Sequence, residues 1–246
     1  MPSRKDPEQL TARIPESERK RAQRILQILR EKVPIRPDDF SSVLVARQSH
    51  DPFRVLTVTI LSQSCTDIAA LQAYRILDER IGVDPDKLGQ AETRAIARAI
   101  RVAGLHHQKA KALKRLGQTI AEQHSGSLEA MLRDPVEEAR SRLQELPKVG
   151  PKTADVLLGI WGRPTISVDT HVDRVSKRLG FAPRKAGYED VREALMRIFE
   201  RNEYSSVPLL LMAHGRRFCK ARRPLCPICP IEQLCPHPHK TKRIVP

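Results

Sequence analysis

Apolar residues recur every three or four positions along most of this chain, which is the spacing of one face of an α-helix. The first such stripe predicts a helix over residues 17–32 that ends before the prolines at 34 and 37. Its apolar face consists of Ala22, Ile25, Leu26 and Leu29. Strict alternation of apolar and polar residues, which would indicate strands, is scarce. The pattern therefore predicts an all-α protein.

Further helices are predicted along the rest of the chain, joined by short loops. Asp51 followed by Pro52 forms a helix start, and it opens an apolar segment that we expect to be buried. The predicted helices cover residues 53–62, 66 or 67 to 79, 91–102, 108–124, 136–146, 152–161, 170–179, 188–201 and 208–216. A chain of 246 residues is long enough for two helical lobes, which is the architecture we expect.

The charge of the chain points to a class of partner. There are 44 Lys and Arg residues against 29 Asp and Glu, a formal net charge of +15. Nucleic acid fits this balance better than a membrane, because no apolar run reaches the ~20 residues of a membrane-spanning helix. No stretch has the pattern of a signal peptide, so we expect a cytoplasmic, nucleoid-associated protein. On charge alone, a basic helical protein without such a partner is the alternative.

The cysteines suggest a metal centre. Four of the five lie close together near the end of the sequence, spaced C-x6-C-x2-C-x5-C. They are Cys219, Cys226, Cys229 and Cys235. An odd count and this crowding fit a disulfide framework poorly. Four thiolates accept either a structural Zn²⁺ or a [4Fe–4S] cluster, and composition does not decide between them. Cys65 stands apart and is expected to be a small core residue.

A tight turn between two helices supplies a candidate DNA-binding element. In the segment LPKVGPKTA of residues 146–154, Pro147 ends one helix, and Gly150 is expected to take backbone angles that other residues resist. This is a helix-hairpin-helix, whose free backbone N–H groups suit a phosphate. Lys148, Val149 and Gly150 are therefore expected to contact DNA without reading its sequence.

Lys152 and Asp169 are the candidate chemical groups. Lys152 lies in the first turn of the second hairpin helix, where the helix dipole disfavours a charged ammonium and so favours the neutral, nucleophilic amine. A lysine that contacts phosphate is the alternative. Asp169 follows the apolar segment Ile166-Ser167-Val168 and begins a helix, so it is either an N-cap or an acid–base group.

These features together resemble the endonuclease III family, the bifunctional members of the helix-hairpin-helix DNA glycosylases. The resemblance covers residues 51–236 and rests on the hairpin lysine, the Val168-Asp169-Thr170-His171 segment and the cysteine spacing. It implies a six-helix barrel domain over residues 45–164, with the hairpin at about 136–161. It also implies an iron–sulfur domain formed by 17–44 and 165–239, with the active site in the cleft between the domains. Residues 1–16 mix charged residues with proline and have no helical period, so they are expected to be a flexible basic arm or a solvated tail without a role, and 240–246 a basic tail.

The resemblance also implies a reaction. Lys152 would attack the anomeric carbon of a damaged nucleotide flipped out of the helix, while Asp169 would assist departure of the base and activate the amine. The resulting Schiff base permits β-elimination, which nicks the strand. The four cysteines would hold a [4Fe–4S] cluster. The expected partner is double-stranded DNA with oxidised pyrimidines or abasic sites, bound by a monomer.

The residues expected to fill the gap left by a flipped base depart from the family pattern. Leu105, after Gly104, fits one filling position. Gln63 is the candidate for the other, although it lies one place early and Ser64 takes the usual place. Further departures are Ala103, which is smaller than usual, and Lys148, which replaces a glycine. His106, His107 and Arg222 are the remaining candidate DNA contacts.

Two other functions remain as alternatives. A monofunctional mismatch glycosylase shares the fold, the aspartate and often the cluster, but usually lacks the lysine. The adenine-mismatch enzymes also carry an additional C-terminal domain, for which we expect no room here. A non-catalytic DNA-binding protein with a metal-stabilised loop would explain the charge and the cysteines, but not the pair Lys152 and Asp169.

Overall fold

The structure is a computed structural model that describes residues 14–36 and 39–242. Within these residues all regular structure is helical, as the apolar spacing predicts. Thirteen α-helices are present in the described ranges: α1 Glu16–Lys32, α2 Ser41–Ser49, α3 Pro52–Ser62, α4 Asp67–Arg80, α5 Pro85–Gln90, α6 Thr93–Ala99, α7 His106–Gln123, α8 Glu129–Arg133, α9 Val136–Gln144, α10 Pro151–Ile160, α11 Thr170–Leu179, α12 Tyr188–Ile198 and α13 Ser206–Arg217. Short 3-10 helices follow at Arg101–Ala103, Arg201–Glu203, Cys226–Ile228 and Glu232–Leu234.

The main differences from the predicted helices concern short elements. Helices α2, α5 and α8 were not predicted, and α5 and α8 have six and five residues, too few for a helical apolar period to show. The predicted helix over 91–102 ends earlier, at Ala99, and continues as a 3-10 turn. Most of the predicted basic arm, the proline at 37 and the last four residues of the predicted tail lie outside the described residues.

The chain divides into two compact units. One, here called the hairpin unit, is Ile35–Ser167, and the other, the cysteine unit, consists of the residues up to Pro34 and from Val168 onward. The boundaries between the units fall after residues 34 and 167, whereas the predicted ones fall after residues 44 and 164. Helix α2 packs along α3, which brings residues 35–44 into the hairpin unit. Thr165 is buried and donates a hydrogen bond to Asp155 of α10, which keeps this segment in the same unit.

The core of the hairpin unit is built around α3. Its N-cap is Asp51, whose side chain accepts hydrogen bonds from the backbone N–H groups of Phe53 and Arg54. Nearly every residue of α3 is buried, because the helix is apolar on all sides. This buried helix fixes the position of the loop that follows it, which begins at Gln63.

The cysteine unit has its own smaller core. Ile25, Leu26 and Leu29 of α1 are fully buried, in agreement with the predicted stripe. Helix α13 approaches α11 closely at Gly215, where an added Cβ would lie 2.9 Å from the Cβ of His171. Glycine is therefore required at this crossing. In the part of the chain that the structure describes, none of the helices has the length and apolar character needed to cross a membrane.

Candidate active site and cysteine loop

The hairpin joins α9 to α10 in the hairpin unit, and its strained residue is not the glycine. Lys148 has a φ of 66°, in the left-handed region, whereas Gly150 has an ordinary extended backbone with φ −99°. The prediction that Gly150 supplies the unusual angles is thus wrong, since the turn closes one step earlier. Leu146 and Val149 are buried and anchor the turn, and the Val149 N–H donates to the Leu146 carbonyl. Lys148 is left exposed at the tip.

Lys152 lies in the first turn of α10, directly after Pro151, as predicted. Its side chain is exposed and makes no hydrogen bond or ion pair with any described residue. Helices at whose first turn backbone N–H groups remain open attract anions such as phosphate. The amine is therefore accessible at a surface that also suits the DNA backbone.

A buried ion pair fixes the two helices of the hairpin against each other. Asp155 of α10 is fully buried and accepts from the Arg140 Nε of α9 at 3.0 and 3.1 Å. Thr165 Oγ1 donates to the same carboxylate at 2.7 Å. Sequence reasoning missed this pair, although its separation of fifteen residues across the turn is visible in the sequence. These hydrogen bonds hold α9 and α10 together below the turn of the hairpin.

The turn before α7 presents Leu105 to solvent. Gly104 combines φ 65° with ψ 164°, a conformation that is essentially restricted to glycine. Leu105 follows with φ 46° and is 53 % exposed, which is unusual for a large apolar residue. His106 and His107 begin α7, with ring centroids 4.3 Å apart. Ala103, in contrast, is fully buried, so its small side chain serves packing at the base of the turn.

Gln63 is tied to the hairpin. Its Nε2 lies 3.2 Å from the Lys148 carbonyl and 3.3 Å from Thr153 Oγ1, and it donates to both. Ser64, the next residue, is exposed and has a φ of 57°. The side chain that points freely to solvent in this loop is therefore Ser64, while Gln63 links the loop after α3 to the hairpin.

Asp169 lies in the cysteine unit and is the N-cap of α11. Its Oδ1 accepts from the backbone N–H groups of His171 at 2.9 Å and Val172 at 2.7 Å. In the described part of the chain, Oδ2 accepts no hydrogen bond. The cap role and an acid–base role therefore do not exclude each other, because one oxygen holds the helix and the other stays available.

Two arginines of α11, both missed in the sequence, hold the start of the cysteine loop, here defined as residues 219–235. Arg174 donates through Nε to the Cys219 carbonyl at 2.9 Å and through Nη2 to the Gly215 carbonyl at 3.2 Å. Arg178 donates to Cys219 Sγ at 3.2 Å and to the Lys220 carbonyl at 2.8 Å. Their spacing of four residues places both on one face of α11. The helix that Asp169 caps thus also positions the first cysteine.

His171 is the other titratable group of this helix start. Burial lowers the pKa of its imidazole, and the positive charge of Arg174 acts in the same direction, whereas the Asp169 carboxylate opposes it. Arg174 Nη2 lies 3.0 Å from His171 Nδ1. A neutral imidazole, accepting at Nδ1, is consistent with this neighbour.

The four clustered cysteines line one cavity together with His214 and Phe218. None of them forms a disulfide bond. Burial raises the pKa of the Cys229 thiol to about 11, and the negative charges of the other three thiolates add to this effect. Among the described residues, no three Cys, His, Asp or Glu side chains approach closely enough to hold a single metal ion. Cys65 lies in the hairpin unit, half-buried against the core.

Comparisons with known proteins decide the family. Residues 57–201 match the HhH-GPD superfamily of base excision DNA repair proteins. Over 216 residues the chain is 34 % identical to endonuclease III of Sulfolobus acidocaldarius, which covers 87 % of this chain and 95 % of that protein. The chain belongs to the endonuclease III family. A solved endonuclease III trapped as a covalent intermediate with DNA is similar, with a TM-score of 0.70 and 31 % identity over 87 % of this chain and 95 % of that one.

A thermostable thymine-DNA glycosylase has a similar structure, with a TM-score of 0.73 over 90 % of this chain and 96 % of that one. At 22 % identity it shows only that the fold is shared. As a member of the endonuclease III family, the protein is a DNA glycosylase and abasic-site lyase of base-excision repair. The predicted family and fold class are thereby confirmed.

Proposed function

We propose that the protein removes oxidised pyrimidines from duplex DNA and nicks the resulting abasic strand, with Lys152 as nucleophile and Asp169 as acid–base group. It would act as a monomer. The observation that carries the proposal is the accessible Lys152 amine in the first turn of the hairpin helix, in a chain 34 % identical to an endonuclease III. The net charge of +15 supports action on DNA in the nucleoid of the cytoplasm.

The proposed reaction starts at the anomeric carbon of an extruded nucleotide. The Lys152 nitrogen forms a bond to this carbon, while the bond to the base breaks and the base leaves with the electron pair. The bond between the anomeric carbon and the ring oxygen then breaks, the ring oxygen takes up the proton that the nitrogen loses, and a Schiff base forms between that carbon and the nitrogen. Loss of a proton from the neighbouring carbon expels the 3′ phosphate with the electrons of its C–O bond. Hydrolysis finally frees Lys152.

Asp169 would act through its available oxygen. A carboxylate near the sugar stabilises the positive charge that develops as the base departs, and it accepts a proton from the lysine ammonium. Because Oδ1 is held by two backbone N–H groups, the carboxylate is fixed in orientation before substrate binds. Oδ2 is the oxygen to which we assign the chemistry.

The remaining predicted residues would hold the DNA. We propose that Leu105 enters the stack where the base has left, since it is apolar, exposed and presented on a constrained turn. Lys148, Val149 and Gly150 would bind the phosphate backbone at the hairpin, and Arg222 would do so on the cysteine loop. His106 and His107 would contact the opposite strand. Gln63 would act by holding the loop that exposes Ser64.

We propose that the four clustered cysteines hold a [4Fe–4S] cluster. Four free thiols line one cavity, as a centre with four thiolate ligands requires, and their spacing C-x6-C-x2-C-x5-C is the one by which the chain resembles the iron–sulfur loop of the family. When bound, the cluster supplies a rigid link among the four thiolates, which shapes the loop that carries Arg222. Zinc without iron in the purified protein would refute this assignment.

Borohydride trapping tests the proposed nucleophile. The protein, mixed with a duplex that carries an abasic site or an oxidised pyrimidine, should give a reduced covalent adduct. Lys152→Ala should lose it, whereas the matched variant Lys111→Ala, at an exposed lysine of α7, should keep it. Base release without an adduct would instead favour the monofunctional alternative. Neither adduct nor base release would leave a DNA-binding protein.

Asp169→Asn tests the proposed acid–base group. Asparagine still caps α11, so folding should persist, whereas base excision in a single turnover should slow by roughly 10²–10⁴-fold. Affinity for DNA should change far less, because the carboxylate acts in the transition state. Equal losses in rate and affinity would contradict the assignment.

A further inference from the structure

Lys109 is a buried lysine for which the proposed reaction has no use. It lies in the first turns of α7, and only 1 % of it is exposed. Lysine is almost never fully buried unless its ammonium is paired, so the group requires an explanation. No carboxylate is within hydrogen-bond reach of its Nζ among the described residues. Its partners are backbone carbonyls.

The two carbonyls belong to different segments, one in α3 and one in the 3-10 helix before Gly104. Nζ donates to the Leu61 carbonyl, near the end of α3, at 2.7 Å and to the Ala103 carbonyl, before the Gly104 turn, at 2.8 Å. A lysine ammonium is a compact group with three donors that can diverge, which suits two acceptors from separate segments. Lys109 therefore cross-links the two segments at their bases.

Each of these segments continues into a strained and exposed residue. Ser64 follows Leu61 by three positions with φ 57°, and Leu105 follows Ala103 by two positions with φ 46°. Non-glycine residues persist in this region only where the surrounding structure holds them. Lys109 therefore binds each segment two or three residues before its strained residue.

The cross-link extends to the hairpin. Gln63 follows the Leu61 end of α3 and donates to the Lys148 carbonyl at the hairpin tip. The Cys65 thiol also donates to the Leu61 carbonyl, at 3.0 Å, so this carbonyl collects hydrogen bonds from both sides. The Lys109 ammonium thus joins the turn before α7 to the end of α3, and the Gln63 amide joins the loop after α3 to the hairpin. All of these residues lie in the hairpin unit.

We propose that Lys109 is a positioning residue that sets the turn of residues 103–105 in advance, so that Leu105 is ready to enter the DNA stack. This inference rests on the filling role proposed for Leu105. Burial lowers the pKa of Lys109, the direction expected for an ammonium compensated by carbonyl dipoles and not by a carboxylate. Lys109 itself does not touch the DNA.

Helix α7 contains a matched control. Lys114 also donates from Nζ to a loop carbonyl, that of Ala91, at 3.0 Å. Ala91 lies before α6, away from the Gly104 turn in the chain. Lys114→Met therefore removes a lysine–carbonyl hydrogen bond from the same helix, at a part-buried position, without touching the two segments that Lys109 joins.

The first measurement is amide hydrogen exchange in the DNA-free protein. Lys109→Met should speed exchange at least about tenfold in residues 62–66 and 103–107, and Lys114→Met should leave both segments unchanged. Lys109→Gln, whose shorter side chain carries an amide donor in place of the ammonium, serves if the Met variant does not fold, and it should free one of the two segments. Unchanged exchange in whichever variant folds would overturn the proposal.

The second measurement is a double-mutant cycle on base extrusion, followed by the fluorescence of a base analogue beside the lesion. Lys109→Met should slow extrusion about tenfold in the parent protein and have no effect in a Leu105→Ala background. Independent, additive effects would overturn the positioning role. If Leu105→Ala alone changes nothing, the proposed filling role fails, while the exchange experiment still decides whether Lys109 orders the turn.

Discussion

The two surfaces proposed to meet DNA are supported in different ways. In the hairpin unit, the loops are held by buried protein groups alone: Lys109 beneath two turns and the Arg140–Asp155 pair beneath the hairpin. In the cysteine unit, the loop of residues 219–235 has only short 3-10 helices, and it depends on two arginines of α11 and on four thiols. One surface is held by the chain alone, whereas the other would also depend on the cluster proposed above.

The two kinds of support, buried charged groups and thiols, depend on different conditions. Buried ammonium and carboxylate groups are costly to desolvate and are retained only where their partners are fixed. Burial raises the pKa of the Cys229 thiol to about 11, and thiols bind metals as thiolates, so the proposed cluster would displace a proton there as it binds. With the proposed cluster, the cysteine surface therefore depends on the supply of that group, whereas the supports described for the hairpin surface come from the chain itself.

The largest effect should come from removing two ligands. Cys226→Ala with Cys229→Ala should abolish bound iron and make residues 219–235 sensitive to protease, while the hairpin unit keeps its fragment pattern. Iron analysis and limited proteolysis would measure this, with Cys65→Ala as the control. Unchanged iron content would refute the ligand assignment.

The next largest effect should come from breaking the buried pair of the hairpin. Asp155→Ala leaves the Arg140 guanidinium buried without its main partner, which should lower the free energy of unfolding by about 3–5 kcal/mol. Urea titration would measure the loss. Asp134→Ala removes the partner of the more exposed Arg142 in the same unit and should cost less than about 1 kcal/mol. Similar losses in the two variants would contradict the difference in burial.

A moderate effect is expected at the arginine that contacts a cysteine. Arg178→Met removes hydrogen bonds to Cys219 Sγ and to two loop carbonyls, and should cost about 1–2 kcal/mol while hastening the release of iron to a chelator. Arg184→Met, at an exposed residue, is the control. Faster release of iron in Arg178→Met but not in Arg184→Met would assign the effect to the lost contacts with the loop, and equal rates in the two variants would contradict it.

The smallest effect should be a gain at the hairpin tip. Lys148→Gly relieves a left-handed conformation that costs roughly 1–2 kcal/mol, partly offset by the greater freedom of glycine in the unfolded chain. The free energy of unfolding should rise by about 0.5–1 kcal/mol, or about 1–4 °C in Tm. Lys148→Ala keeps the strain but loses the charge, so calorimetry and DNA binding on both variants separate the two. No difference in Tm between them would refute the strain.

The sequence was most informative where local pattern decides structure. The stripe of α1, the buried apolar helix after Asp51 and the cap position of Asp169 follow from spacing and from residue type within one or two turns. Lys152 lies in the first turn of its helix because Pro151 sets that start. These features depend on contacts between neighbours in the chain.

What the sequence did not reveal depends on distant contacts. Lys109 stands in a run of lysines and alanines that would be exposed on an isolated helix, and only its contact with Leu61, 48 positions earlier, explains its burial. The strain of the hairpin was assigned to Gly150 because glycine tolerates it best, yet the buried Leu146 and Val149 place it at Lys148. Gln63 likewise contacts residues 85 and 90 positions away.

The Asp169 carboxylate caps α11 with one oxygen and is assigned the chemistry with the other. This double role determines which substitutions at position 169 each kind of selection would tolerate. A residue at this position must accept two backbone N–H groups, so a screen for folded protein alone should retain Asp, Asn, Ser and Thr. A screen for repair in cells should retain Asp. The gap between the two tolerated sets would mark position 169 as a place where inactive but stable proteins accumulate, able to occupy damaged DNA without releasing the base.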